Sequence, residues 1–114
     1  MVQRYKKFFK EDKSIDTIVS ERFNKFLNFS DWSDYRMFDV IKELKQDRNK
    51  NLSNLKKATL ELSKTNYKDL FFAEQIKLQD KMISKYFKNI TLFTHDILRG
   101  MIGEIVYQVL KINE

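Results

Sequence analysis

The sequence predicts an all-α fold: an antiparallel bundle of four or five helices forming one domain over residues 1–114. Three observations lead there. The chain has no proline and only two glycines, Gly100 and Gly103, whereas a hairpin-built sheet needs many residues that tolerate positive φ at its turns. Apolar residues recur in steps of three and four along most of the chain, the spacing of one helix face. Hydrophobic residues make up 42% and charged residues 33%, the balance of a folded chain and not of a disordered one. A chain of this size buries roughly two-thirds of its unfolded surface, enough for a core without staples. Cysteine is absent, which removes disulfides and thiolate chemistry.

The elements follow in order. The first thirteen residues hold five basic and three aromatic side chains. Within them, Arg4-Tyr5-Lys6-Lys7-Phe8-Phe9-Lys10 mixes the two as membrane-surface segments do. The segment is short and followed by Glu11 and Asp12, so peripheral membrane contact is not expected. It also lacks the apolar stretch of a signal peptide, which makes cytoplasm the expected address. Ser14 can cap a first helix, with Asp16 in its first turn and Ile15, Ile18, Val19, Phe23, Phe26 and Leu27 on its inner face. Ser33 is the next cap, flanked by Trp32 and Met37 at the positions of a hydrophobic staple. Met37, Phe38, Ile41 and Leu44 then share a face. The polar run Gln46–Asn51 interrupts the pattern before Leu52, Leu55, Ala58 and Leu62 resume it. Residues 34–64 can be one long helix or two; the polar run favours a break at Arg48–Asn51.

Asn66 with Asp69 forms a cap before the most regular segment, in which Phe72, Ile76, Gln79, Ile83, Tyr86, Ile90, Phe93 and Ile97 alternate steps of four and three. The stretch Asn89–Thr94 is rich in β-branched and capping residues. A break is expected there, with Thr94 capping the last helix and Phe93 and Leu98 as its staple. That last helix is apolar over well over half its circumference, through Leu98, Met101, Ile102, Ile105, Val106, Val109 and Leu110. A helix apolar nearly all round is buried on most sides, so it belongs at the centre of the bundle or at a dimer interface. Gly100, Gly103, Ile105 and Val109 are its candidate contact residues, the glycines because a missing side chain lets another helix approach closely.

The residues that chemistry would need are sparse. His95 is the only histidine. Asp39, Glu43 and Asp47 lie at i, i+4 and i+8, but paired-metal bundles draw glutamates from several helices plus Glu-x-x-His motifs. No metal site, cofactor or catalytic residue is therefore expected. Nucleophile elbows, phosphate-binding glycine loops and dinucleotide fingerprints are missing too. The segment His95-Asp-Ile-Leu-Arg-Gly resembles the phosphoacceptor motifs of histidine kinase dimerisation helices and of histidine phosphotransfer domains. It departs from both, because Arg99 follows the histidine by four residues where those families place a basic residue at three. The kinase proline is missing as well. A structural histidine is the expectation, and the chain is not expected to be an enzyme.

The surface signal is basic. The net charge is +6, a moderate excess that weakly attracts polyanions. Lys77, Lys81, Lys85 and Lys88 form a stripe opposite the apolar face of their helix. Lys81, Lys85 and Lys88 have no acidic neighbour at three or four residues, so the stripe stabilises nothing within its own helix. Lysines about 6 Å apart along an axis match the phosphate spacing of a nucleic-acid strand. Lys56 and Lys57 belong to a second basic stretch between Lys42 and Lys68. The same stripe is equally a solvated face, or a surface meeting the acidic Asp39–Glu43–Asp47 stripe of another copy. Two functions are thus expected: a helix-mediated interaction protein (an accessory subunit, adaptor or inhibitor) binding a protein partner or itself, or a sequence-nonspecific nucleic-acid binder.

Overall fold

The structure, a computed structural model, describes residues 15–28 and 35–112. Among the described residues are five α-helices, one 3-10 turn and no strand. The helices are α1 (Ile15–Leu27), α2 (Arg36–Gln46), α3 (Arg48–Ser63), α4 (Phe72–Tyr86) and α5 (Leu92–Ile112), with the 3-10 turn at Tyr67–Asp69. The chain is an all-helical bundle. In α1 the buried residues are Ile18, Val19, Phe23 and Leu27, the face expected from their spacing. Ser14, the Trp32–Ser33 staple and cap, and the basic-aromatic segment Arg4–Lys10 lie outside the described residues.

The polar run divides residues 36–63 into two helices. Asp47 leaves helical geometry at φ −123° and ψ 57°, one residue before the expected break. Asn51 shapes this joint: its Nδ2 donates to the Leu44 carbonyl at 2.9 Å, while its own N–H donates to the Asp47 carbonyl at 2.8 Å. The side chain satisfies a carbonyl that the end of α2 leaves without a helical partner. What reads as an interruption of the apolar pattern is the cap that stops α2.

Two expected caps are displaced. Asn66 and Asp69 bound the 3-10 turn, not α4. α4 starts five residues later, where the Phe71 N–H donates to Glu74 Oε1 at 3.2 Å, the acidic half of a capping box. Likewise α5 is capped by Thr91 and not by Thr94. Thr91 Oγ1 accepts the N–H of Thr94 at 3.2 Å, and the Thr94 hydroxyl lies 3.0 Å from it. Thr94 sits instead in the first turn, 1% exposed. The break between α4 and α5 falls at residues 87–91, slightly ahead of its expected place. There Asn89 takes φ 64°, a left-handed conformation that asparagine tolerates better than most residues.

α5 is the central helix. Leu98, Ile102, Ile105 and Val106 are fully buried and Val109 nearly so, and the helix packs against α1, α3 and α4. It runs antiparallel to α1, since Arg22 pairs with Glu104 while Phe26 lies beside Ile97 and Met101. It runs antiparallel to α4 as well. Asp80 meets His95 and Arg99, whereas Phe72, at the start of α4, lines the same groove as Tyr107. α3 and α4 bring their last turns together through Glu61 and Lys85.

Candidate functional site

One stripe of α5 escapes the core. Asp96, Gly100, Glu104, Tyr107 and Lys111 fall within an arc of about 80° on a helix of 3.6 residues per turn, with the part-buried Gly103 at its edge beside α4. The buried Leu98, Ile102, Ile105 and Val109 occupy the opposite side. Two grooves flank the stripe. The larger, about 720 Å³, runs between α4 and α5 with Phe72, Ile76, Gln79 and Tyr107 in its walls. The smaller, about 450 Å³, lies between α1 and α5, against Arg22, Phe26, Ile97 and Met101. Both grooves include Asp96, Gly100 and Glu104. They therefore meet over α5, and Gly100 is the low point between them.

The two glycines differ in what they accommodate. A Cβ on Gly103 would lie 2.8 Å from Gln79 Nε2 and 3.8 Å from the Tyr67 hydroxyl oxygen. Those two side chains form a buried polar pair in which Gln79 Nε2–H donates to the Tyr67 hydroxyl. Gln75 Nε2–H also donates to the Tyr67 carbonyl at 2.8 Å, tying the 3-10 turn to α4. Burial raises the Tyr67 phenol above its ordinary range, with the Gln79 hydrogen bond opposing the shift. Gly103 thus allows close internal packing, as its sequence context suggested. Gly100 does not: no atom of the described residues lies within 4 Å of where its Cβ would be. A glycine inside a helix costs about 1 kcal/mol relative to alanine, and among the described residues nothing at Gly100 offsets that cost.

Charge is distributed unevenly along the stripe. Near its N-terminal end Arg99 Nη1 donates to Asp80 Oδ1 at 3.1 Å and to Oδ2 at 3.4 Å. Its Nη2 donates to Asp96 at 3.0 Å, so two carboxylates share one guanidinium. His95 Nε2–H donates to Asp80 as well, at 3.0 Å. At the other end Lys111 is exposed, and among the described residues no carboxylate is in ion-pair contact with it. In the middle, Glu104 is neutralised by Arg22.

The residues singled out in the sequence are scattered. Lys77, Lys81, Lys85 and Lys88 are all exposed, but Lys88 lies beyond the end of α4. Lys85 has a structural partner that the local sequence could not reveal: its Nζ donates to both Glu61 oxygens, at 3.1 and 3.2 Å. Tyr86 donates its hydroxyl hydrogen to the same carboxylate. Lys57 is exposed one turn before Glu61 on α3, and Lys56 is half-buried beside it. Ile105 and Val109, candidates for an interface, are core residues packed inside this chain. Gly100 remains open. Phe72, assigned to the inner face of α4, is 73% exposed, and Tyr107 is 65% exposed. Tyr107 was not singled out, although the gaps in the apolar pattern of α5 at 96, 100, 103, 107 and 111 trace the outward stripe.

Among the described residues no group of three or more potential ligand side chains could hold a metal ion, and no helix is long and apolar enough to cross a membrane. No protein-family model, curated protein or solved structure matches the chain.

Proposed function

We propose that the protein is a non-enzymatic interaction module that binds another protein chain through the outward stripe of α5 and the grooves beside it. The observation that carries this reading is the open notch at Gly100. It joins two grooves into one concave surface, bordered by the exposed rings of Phe72 and Tyr107. Aromatic side chains next to a depression are the usual anchors of protein interfaces. Leucine at position 100 would fill the notch from an exposed helix position without entering the core. Capture from the native host should therefore recover partners with the parent chain and lose them with Gly100→Leu and with Tyr107→Ala. A recovered set that neither substitution changes sinks the reading.

A second reading has its own support. Lys77, Lys81 and Lys88 are exposed and, among the described residues, make no ion pair, which leaves their charge available to a polyanion. In this reading the α4 face, with Lys57 near it, holds the backbone of a nucleic acid without reading its sequence. Reversing Lys77, Lys81 and Lys88 to glutamate, with Lys85 left on Glu61, should then abolish a salt-sensitive gel shift. The reading fails if the parent chain gives no shift, or if the triple variant shifts as well as the parent.

A further inference from the structure

We infer that the outward stripe of α5 pairs with its own counterpart in a second copy of the chain. The two helices run antiparallel about a two-fold axis between Gly103 and Glu104. This rests on the protein-binding reading above and names its partner. In such a pair the same patch serves both copies, so it must be self-complementary: whatever lies at one distance before the axis faces whatever lies at that distance after it.

The stripe meets that condition in shape and in charge. Gly100 and Tyr107 are equally far from the axis, about 5 Å at 1.5 Å per residue. One is the open notch and the other an aromatic ring 65% exposed. Each tyrosine therefore enters the opposite notch. Asp96 and Lys111 are also equidistant, about 11 Å from the axis. Asp96 shares Arg99 with Asp80, so that cluster keeps one uncompensated carboxylate, with Lys25 across the groove from it, and the basic end carries Lys111. Acid thus meets base at both ends of the pair. A parallel pair would instead set Tyr107 against Tyr107 and Lys111 against Lys111. The antiparallel arrangement also accounts for a glycine that no contact among the described residues explains.

The test is sedimentation equilibrium on the full chain, with circular dichroism confirming that each variant stays helical. The parent is expected to dimerise, and Gly100→Leu to weaken the dimer at least tenfold. Asp96→Lys and Lys111→Asp should each be monomeric, because each sets like charges against one another. The double variant Asp96→Lys/Lys111→Asp should dimerise again. An equimolar mixture of the two single variants should form a heterodimer, since their unlike ends then meet. A parent dimer that survives both single charge changes, or single variants that do not combine, overturns the arrangement. A monomeric parent overturns self-pairing. If that monomer still captures a partner that Gly100→Leu loses, the protein-binding reading stands without it.

Discussion

Gly100 and Gly103 lie three residues apart on one helix face, and a methyl group added to each should act differently. At Gly100 it meets open space, so Gly100→Ala should stabilise the monomer by about 1 kcal/mol through helix propensity alone. At Gly103 it displaces the amide of Gln79 from the Tyr67 hydroxyl. Losing a buried hydrogen bond costs about 1 kcal/mol or more, so Gly103→Ala should be neutral or destabilising. Urea unfolding of dilute protein checks both, and equal gains at the two sites would contradict the packing described. Glu61 shows a second residue-scale effect. The Tyr86 hydroxyl, and then the Lys85 ammonium, hold its carboxyl below the ordinary 4.5. A depressed carboxylate contributes stability above its unfolded value and loses it as the pH falls through the folded value. The Lys85 ammonium and the Tyr86 phenol are raised, in each case chiefly by the hydrogen bond with Glu61. Their contributions are full below their ordinary values and fade as the pH rises through the raised ones. Glu61→Gln should therefore be less stable than the parent at neutral pH, with the deficit shrinking below about pH 4.5 and again in strong alkali. A deficit independent of pH would exclude the ionic account.

At the scale of elements, the helix boundaries are set by side chains that reach across them. Asn51 satisfies a carbonyl of the helix before its own, and Thr91 satisfies the first turn of α5. Thr91→Ala should remove the cap and cost about 1 kcal/mol, within the 0.5–2 kcal/mol usual for such losses. The comparison of thermal or urea unfolding between the variant and its parent decides the point. An unchanged midpoint would return the cap to Thr94. The threonines at 91 and 94 explain the ambiguity, since either can cap a helix on local grounds. The choice falls on Thr91 because Thr94 is needed inside, packed in the first turn.

At the scale of the whole molecule, α5 divides into an inner side that builds the bundle and an outer side exposed at Asp96, Gly100, Tyr107 and Lys111. Ile105→Ala should cost 2–5 kcal/mol, as large-to-small changes at fully buried sites do. That loss should not depend on protein concentration, because Ile105 is buried by its own chain. A loss that disappears on dilution would instead mark an interface residue. The lysine face spans two elements, the exposed side of α4 and the loop behind it, and among the described residues only Lys85 is recruited into helix packing.

The fold class was legible in the sequence, and so was most of the inner face of each helix, although Phe38 and Phe72, placed on those faces, are 54% and 73% exposed. Periodicity and the scarcity of glycine and proline are local properties, and they act through backbone sterics and burial. The joint near Asp47 and the break after α4 were also readable, to within a few residues, from polar and β-branched runs. Partners distant in sequence were not. Glu61 precedes Lys85 by 24 residues, and no local rule pairs them. Nor could spacing show that Phe72 projects beyond the core, or that Ile105 and Val109 are used up internally while Gly100 is left open. The sequence by itself determined where helices form, to within a few residues at their ends, and which side of each is largely apolar, because those follow from neighbours within one turn. Only the tertiary structure decided which apolar surfaces cover one another. That choice leaves the Asp96–Lys111 stripe of α5 facing outward.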